Sequence, residues 1–145
     1  MIARWLAGVF LFALVSLAVA EMPRMSLNVG MYRIDAEVAA DNPNRMQGLM
    51  HRKTMAPHQG MLFVFPQVTT HCMWMRNTFL PLSVAFLDED GKIINIEDMA
   101  PQTETSHCAA KPARFALEMN KGWFASKKIG AGTVIQGLGK APAPR

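Results

Sequence analysis

The chain has 145 residues and a formal net charge of +4 at pH 7, from 15 Lys or Arg and 11 Asp or Glu. A charge this modest, spread along the sequence without a basic run, argues against a nucleic-acid-binding protein. The length is that of one domain with a single hydrophobic core, so we expect no second module.

The first twenty residues have the organisation of a secretory signal peptide. Arg4 supplies an early positive charge, an almost continuous apolar run covers residues 6–15, and Ala18-Val19-Ala20 forms a small-x-small cleavage site before Glu21. An uncleaved membrane anchor is the alternative, but it needs about 20 apolar residues, and the residues from Ser16 onwards weaken that interpretation. We expect a signal peptide over residues 1–20, no stable membrane anchor after cleavage, and a periplasmic or secreted protein.

The mature chain begins with a predicted hairpin and a short helix. Apolar residues fall on odd positions over 25–29 and on even positions over 32–38. Because a strand repeats every two residues, this change of phase predicts two strands joined by a turn at residues 28–30. Asp41 then predicts the N-cap of a helix that ends near His51. The expected apolar stripe of this helix consists of Met46, Leu49 and Met50.

The middle of the chain predicts a buried strand and a second hairpin. The apolar run over 61–65 reads as a strand covered on both faces and stopped by Pro66. Alternating runs over 82–86 and 94–96 flank the turn at residues 88–91, which contains Asp-Gly, and they form the best-defined hairpin.

The last third predicts a loop over 101–112, a strand over 113–119 and a short helix containing Trp123 and Phe124. Asn120 is the expected cap of that helix. A final strand is predicted near residues 133–136. The Gly-, Ala- and Pro-rich tail over 139–145 is predicted to be disordered.

About seven short strands and two short helices predict a mainly β, single-domain fold. It is expected to be a β-sandwich or an incomplete, jelly-roll-like barrel over residues 21–138.

Four sequence blocks in order resemble a known bacterial and archaeal family, catalogued as domain of unknown function 192. The blocks are Arg45-x-x-Gly48-Leu49-Met50-x-Arg52, Gly60-Met61-Leu62-Phe63, Trp74-Met75-x-Asn77-Thr78-x-x-Pro81-Leu82 and Leu117-Glu118-x-Asn120-x-Gly122. The resemblance covers about residues 25–138 and implies a compact, often exported β domain with no established activity. Ser83 departs from the family pattern, because an aspartate commonly follows the Pro-Leu pair.

The block Trp74 to Thr78 is the first candidate site. In a strand, Trp74 and Arg76 share one face with Cys72, so Trp74 offers stacking area and Arg76 and Asn77 offer donors to a ligand. The structural alternative is a core tryptophan followed by a turn that Asn77 and Thr78 stabilise. Glu118 and Asn120 complete the ligand-binding candidates. Glu118 is expected at the surface, or partly buried in an ion pair with Arg76 or Arg52.

Cys72 and Cys108 are the only cysteines, and an exported chain favours a disulfide between them. Each follows a histidine. If the thiols were reduced, two Cys and two His would suit zinc, and Met73 and Met75 would suit copper(I). The metal alternative therefore uses His71, Met73, Met75 and His107.

Two classes of function follow from these residues. The first is non-catalytic binding of a small molecule, glycan or partner protein, without a cofactor. The second is periplasmic copper binding. An enzyme of unknown class comes third, because neither Ser83 nor Ser106 lies in a nucleophile motif and no catalytic residue can be named.

Overall fold

The computed structural model describes residues 21–145, so the predicted signal peptide lies outside the described residues. The elements, in chain order, are β1 (Arg24–Val29), β2 (Tyr32–Ala39), α1 (Asn42–Gln47), β3 (Gln59–Thr69), β4 (Cys72–Met73), β5 (Leu82–Leu87), β6 (Ile93–Met99), β7 (His107–Cys108), β8 (Ala113–Asn120) and α2 (Trp123–Ser126), followed by a 3₁₀ turn at Leu138–Lys140. None of the described helices is long and apolar enough to cross a membrane.

Six strands form one sheet in the order β1-β2-β3-β8-β5-β6. Neighbours run antiparallel except β2 and β3, which are parallel and are connected through α1. The strands β4 and β7 pair separately as a small arm, here called the disulfide arm, in which Cys72 lies opposite Cys108 and Met73 opposite His107. This confirms the prediction of a mainly β, open fold with two short helices.

Both faces of the large sheet are covered, because each carries its own cluster of buried side chains. One face packs against α2 and the C-terminal segment, with Leu117, Phe124 and Ile135 in its core. The other packs against the turn after α1 and the segment following β4, with Leu49, Phe63 and Met75 in its core. Strand β5 is consequently buried at every position, and its alternation does not separate core from solvent.

The first hairpin is confirmed, but its turn lies one residue later than predicted. Val29 pairs with Tyr32, so Gly30 and Met31 form the loop, and Gly30 has a φ of 54°. A two-residue hairpin loop needs positive φ, which glycine adopts without steric cost.

The N-cap of α1 is confirmed, whereas its predicted apolar stripe is wrong. The Asp41 Oδ1 accepts a hydrogen bond from the Asn44 N–H at 2.9 Å. The helix then ends at Gln47 because Gly48 leaves the helical conformation with a φ of 50°. Leu49 is therefore buried from a turn rather than from the helix, and Met46 is 67% exposed.

Pro66 does not end β3, contrary to the prediction. The strand continues to Thr69, and the register between β3 and β8 shifts between Val64 and Thr69. The proline lies inside this irregular stretch, where its missing N–H removes no ladder hydrogen bond.

The second hairpin is confirmed, with Asp88 Oδ1 accepting hydrogen bonds from the N–H groups of Asp90 and Lys92, each at 2.9 Å. The predicted loop over 101–112 contains β7, whose two residues are too few for a period to be recognised.

The C-terminal segment differs from the prediction in three places. Gly122, not Asn120, occupies the N-cap position of α2. Residues 133–136 form only isolated bridges, from Val134 to Lys92 and from Gln136 to Asn28. The tail returns to the body of the fold, where the Arg145 N–H donates to the Ala40 carbonyl at 2.8 Å.

Candidate functional site

A groove separates α1 and its following turn from the disulfide arm. Its outer part has a volume of about 330 Å³ and includes Met46 of α1, Phe65 of β3 and His71. Its inner part is an adjoining pocket of about 40 Å³ that includes Gly48, Thr78 and Glu118. The two parts share five lining residues and are therefore continuous; these are Arg45, Met46, Phe63, Met73 and Trp74.

The groove has an apolar floor and an exposed apolar rim. Phe63 and Phe65 are buried on the floor, whereas Trp74 is 44% exposed at the rim. The Arg76 guanidinium lies 5.5 Å from the centre of the Trp74 ring. Trp74 is thus a surface side chain beside Arg76, and the alternative of a core tryptophan is wrong. The strand predicted for this block ends at Met73, so the two side chains are neighbours in a loop and not on a strand face.

The turn after α1 approaches the floor closely because residue 48 is glycine. Its φ of 50° is a left-handed conformation that side chains disfavour. A Cβ atom there would also lie only 3.2 Å from the Phe63 ring. Gly48 therefore shapes the boundary between the inner pocket and the floor.

Glu118 is the one acidic side chain in the lining of the inner pocket. It lies in β8 between Met61 of β3 and Val84 of β5, and only 4% of its surface is exposed. Burial alone raises the pKa of its carboxyl from 4.5 to about 8, because the charged form is poorly solvated there. The carboxyl therefore carries a proton at neutral pH.

The expected ion pair of Glu118 does not form among the described residues. The Arg52 guanidinium instead pairs with Glu37, at 2.6 and 3.0 Å. The Arg76 Nε lies 3.7 Å from a carboxylate oxygen of Glu104. Arg52 thus meets a part-buried carboxylate of β2 and Arg76 an exposed one, whereas Glu118 lies between the apolar side chains of Met61 and Val84.

Arg45 is the basic side chain that lines both parts of the groove. Its guanidinium donates to three backbone carbonyls, those of Ala40 at 2.5 Å, Val64 at 3.0 Å and Arg145 at 2.7 Å. These bonds tie α1 to β3 and to the C-terminus, so Arg45 is held away from Glu118.

The other candidates of the Trp74 block stabilise a turn. Asn77 adopts a φ of 50°, and its carbonyl accepts from the His51 N–H at 2.9 Å. Thr78 is buried, and its hydroxyl donates to the Arg76 carbonyl at 3.0 Å.

Asn120 lies apart from the groove and donates to the Met55 carbonyl at 3.0 Å. The structure thus brings Trp74, Thr78 and Glu118 together, places Arg76 beside Trp74, and leaves Asn77 and Asn120 outside the groove lining.

The four candidate metal ligands are placed in different surroundings. His71 stacks on Phe65 with 3.8 Å between ring centres, and its Nε2 lies 2.7 Å from the Gln67 carbonyl oxygen. Met75 is fully buried in the core. Met73 and His107 lie opposite each other on the disulfide arm. Within residues 21–145 there is no cluster of three or more His, Cys, Asp or Glu that could hold a metal.

The predicted disulfide between Cys72 and Cys108 is present, which confirms the pairing. It joins the two strands of the arm directly before Met73 and Trp74. The Asn95 side chain holds the arm from β6, donating to the Cys108 carbonyl at 3.1 Å and accepting from the Ala110 N–H at 2.9 Å.

Ser83 makes two hydrogen bonds away from the groove. Its hydroxyl donates to the Asp98 carboxylate at 2.6 Å and accepts from the Gly122 N–H at 2.9 Å. The carboxylate next to this position thus comes from the neighbouring strand.

The groove residues of α1 and β3 were missed by the sequence reasoning. Met46 and Phe63 were assigned to helix and strand interiors, although both lie in the blocks that resemble the family. The sequence feature that could have indicated them is the order of Arg45, Gly48 and Phe63 within those blocks. Their proximity in space, however, depends on the crossover between β2 and β3.

Comparison with known proteins identifies a family and several similar solved structures, including the following two. The profile of the family named domain of unknown function 192, described as an uncharacterized ACR, matches residues 25–137. A crystal structure from Sinorhizobium meliloti 1021, described as a "putative transcription regulator", is 32% identical with a TM-score of 0.78 and covers 83% of this chain and 98% of its own. A protein of unknown function from Novosphingobium aromaticivorans DSM 12444 is 28% identical with a TM-score of 0.77, covering 83% and 89%. No curated protein matches the chain.

Proposed function

Since this chain belongs to the uncharacterized family of domain of unknown function 192, its function has to be inferred from its own candidate site, and we propose that it is a non-catalytic binding protein. The groove between α1 and the disulfide arm holds a small, largely apolar molecule. The observation that carries this proposal is the buried carboxyl of Glu118 at the inner end of a groove with aromatic walls.

The shape and lining of the groove support a small ligand. A volume of about 330 Å³ lies at the lower end of the range for small-molecule sites, which is roughly 300 to 1,000 Å³. Such sites combine apolar and aromatic walls with a few polar groups that orient the ligand. Here the phenylalanine floor, Met73 and Trp74 supply the walls, and Glu118 supplies the polar group.

The surroundings of Glu118 support binding rather than catalysis. Active sites commonly pair two titratable groups, such as a nucleophile and a base within hydrogen-bond reach of each other. The other titratable groups in the groove lining are Arg45, which donates to three carbonyls, and His71, which is stacked on Phe65. Neither forms an ion pair with Glu118.

We propose that binding takes place in the periplasm or outside the cell. The disulfide of the arm supports an oxidising compartment. The residue pattern before Glu21 supports export, because it has the three parts of a signal peptide.

The test is a screen of small neutral aromatic compounds by NMR, with wild type and two variants. Trp74→Ala removes the exposed wall of the groove. Phe79→Ala is its matched control, because Phe79 is exposed to the same degree (43%) but is absent from the groove lining. Compounds that bind wild type should be retained by Phe79→Ala and lost by Trp74→Ala. Equal binding to all three proteins, or no binding to wild type, would contradict the proposal.

Copper binding on the disulfide arm is the second candidate, favoured by the cross-strand pair of Met73 and His107. Thioether and imidazole are suitable ligands for copper(I). Titration of copper(I) against a competing chelator tests it. Tight binding that Met73→Leu abolishes would support the arm as the site, and binding no tighter than that of Met73→Leu would exclude it.

A further inference from the structure

The inner pocket has too little space for a ring and enough for a small planar head group. A single water needs on the order of 10 to 15 Å³ of this kind of volume. The pocket, at about 40 Å³, therefore admits a group of about three non-hydrogen atoms, while the outer groove takes the body of the ligand. The polar atoms of such a head group would lie beside Glu118 and Thr78.

Of Glu118 and Thr78, Glu118 is the one with an O–H that is not already donated to a described residue. The Thr78 hydroxyl already donates to the Arg76 carbonyl. No described residue makes an ion pair with the Glu118 carboxyl, and neither a hydrogen bond nor a neighbouring charge contributes to its pKa shift. A protonated carboxyl has one O–H donor and a free acceptor oxygen. A ligand group that matches this carboxyl presents an acceptor atom and a donor atom side by side.

Charge further restricts the head group. An ion buried without a counter-ion is strongly disfavoured, so an anion would need a cation beside it. The charged group that faces the pocket from α1 is Arg45, whose guanidinium is held by three carbonyls. The β-strand neighbours of Glu118 are Met61 and Val84, which carry no charge. An anionic head group would therefore lack a partner, and a cationic one would first have to displace the proton of Glu118.

We propose, on the basis of the binding function above, that Glu118 selects ligands with a neutral primary amide or lactam head group. The carboxyl O–H donates to the carbonyl oxygen of the ligand, and the ligand N–H donates to the carboxyl oxygen. The apolar body of the ligand lies between the phenylalanine floor and Trp74. This arrangement gives the Glu118 carboxyl the hydrogen-bond partners that no described side chain supplies.

Four probes with the same ring separate the alternatives. Benzamide has the neutral amide, benzamidine is a cation, benzoate is an anion, and toluene has no polar head group. Each is titrated into the full protein at pH 6 and at pH 9, and the indole N–H signal of Trp74 is followed by NMR. Benzamide should bind at least tenfold more tightly than the other three at pH 6. Its affinity should fall at pH 9, because Glu118 loses the proton that it donates.

Variants at position 118 test the role of the carboxyl itself. Glu118→Gln keeps one donor and one acceptor but does not titrate, so it should bind benzamide with the same affinity at both pH values. Glu118→Leu has similar size without polar atoms, so it should lose the preference for benzamide over toluene. Far-UV circular dichroism of both variants verifies that they are folded.

The outcomes distinguish this inference from the proposed function. If toluene binds as well as benzamide and binding depends on Trp74, the groove binds ligands but Glu118 does not select them. If benzamidine binds best and more tightly at pH 9, the pocket takes cations and the inference is overturned. If no probe binds, the groove fails as a ligand site and both proposals fall.

Discussion

Glu118 combines a buried position with an ionisable group, and its pKa predicts how the stability of the protein depends on pH. The unfolded chain loses this proton near pH 4.5, whereas the folded chain keeps it until about pH 8. Between these values the folded state binds more protons, so the free energy of unfolding falls as the pH rises. The loss attributable to this residue reaches up to roughly 5 kcal/mol above pH 8.

We predict that Glu118→Gln removes this part of the pH dependence. The variant should have nearly wild-type stability at pH 4 and should be more stable than wild type at pH 9, since the amide has no proton to lose. Urea denaturation of both proteins across that range measures the difference. Parallel stability curves would show that Glu118 is ionised in the folded protein or titrates normally.

Trp74 and Met75 are adjacent in sequence, but one side chain is exposed and the other is buried. We therefore predict that their replacement by alanine lowers the stability of the protein by very different amounts. Met75 is fully buried in the core, so Met75→Ala should lower the free energy of unfolding by about 2 to 5 kcal/mol. Trp74 is 44% exposed, so Trp74→Ala should cost about 1 kcal/mol or less. Chemical denaturation of the two variants checks this. A loss of about 3 to 5 kcal/mol for Trp74→Ala would mean that Trp74 is a core residue.

Arg76 tests whether the rim of the groove contributes more than shape. Its side chain is exposed, with the guanidinium over Trp74 and a long contact to Glu104. Exposed pairs of this kind contribute little to stability, so Arg76→Ala should remain folded. Complementation of a deletion strain by this variant measures its functional role. Normal complementation by the folded protein would remove Arg76 from the site and leave Trp74 and Glu118 as its determinants.

At the scale of the elements, the disulfide arm forms one wall of the groove with very little secondary structure. It consists of two residue pairs, held by the Cys72–Cys108 bond and by the Asn95 side chain. The groove residues Met73 and Trp74 follow Cys72 directly. Their position should therefore depend on the covalent bond.

We predict that replacing both cysteines by serine loosens this wall. In the chain-entropy model, loss of a bond spanning 36 residues costs roughly 4 kcal/mol of stability. Amide hydrogen exchange should accelerate at Met73 and Trp74 more than at α1, the opposite wall. Exchange that accelerates equally in both walls would mean that the arm is not the local determinant of the groove.

The opposite wall of the groove is α1, and its position depends on the N-cap of the helix. Asp41 accepts from the Asn44 N–H and from the Asn44 side chain, each at 2.9 Å. Asp41→Ala should therefore cost about 1 kcal/mol, and it should weaken ligand binding because Arg45 and Met46 shift with the helix. Asp41→Asn keeps the capping oxygen and is the matched control. Equal stability of wild type and Asp41→Ala, by thermal denaturation, would exclude this role.

At the scale of the whole molecule, the position of the N-terminus decides whether the folded domain is released from the membrane. The residues before Glu21 predict a cleaved signal peptide, and a cleaved protein should have an N-terminus at or near Glu21. The intact mass of protein recovered from the periplasm measures it. A mass that retains residues 1–20 would identify the apolar run as an anchor.

The overall architecture was predictable where a pattern is local and long enough to repeat. Alternation over residues 25–38 and 82–86 identified three strands of the large sheet, and Asp41 identified the start of α1. The disulfide was predictable because two cysteines in a chain with a predicted export signal have only each other as partners. Shorter or irregular elements were not predictable. The two-residue strand β7 has no period, and β3 continues through a proline that normally ends strands.

The candidate site was predictable only in part, because burial depends on residues that are distant in the sequence. The sequence singled out Trp74 and Glu118 but predicted Glu118 at the surface or in an ion pair. It is the insertion of β8 between β3 and β5 that surrounds this carboxyl with apolar side chains and removes it from every described arginine. Likewise, the crossover between β2 and β3 brings Met46 to face Trp74 across the groove.

The sequence by itself therefore predicted an export signal and determined the β character, the family and the disulfide, since each depends on residue types and short spacings. The tertiary structure alone decided that the tryptophan is exposed, that the carboxyl is buried and protonated, and that the two share a groove. Solvation is the physical reason. The environment of a side chain is set by the strands packed around it, and strand order is a property of the folded sheet that no local pattern encodes.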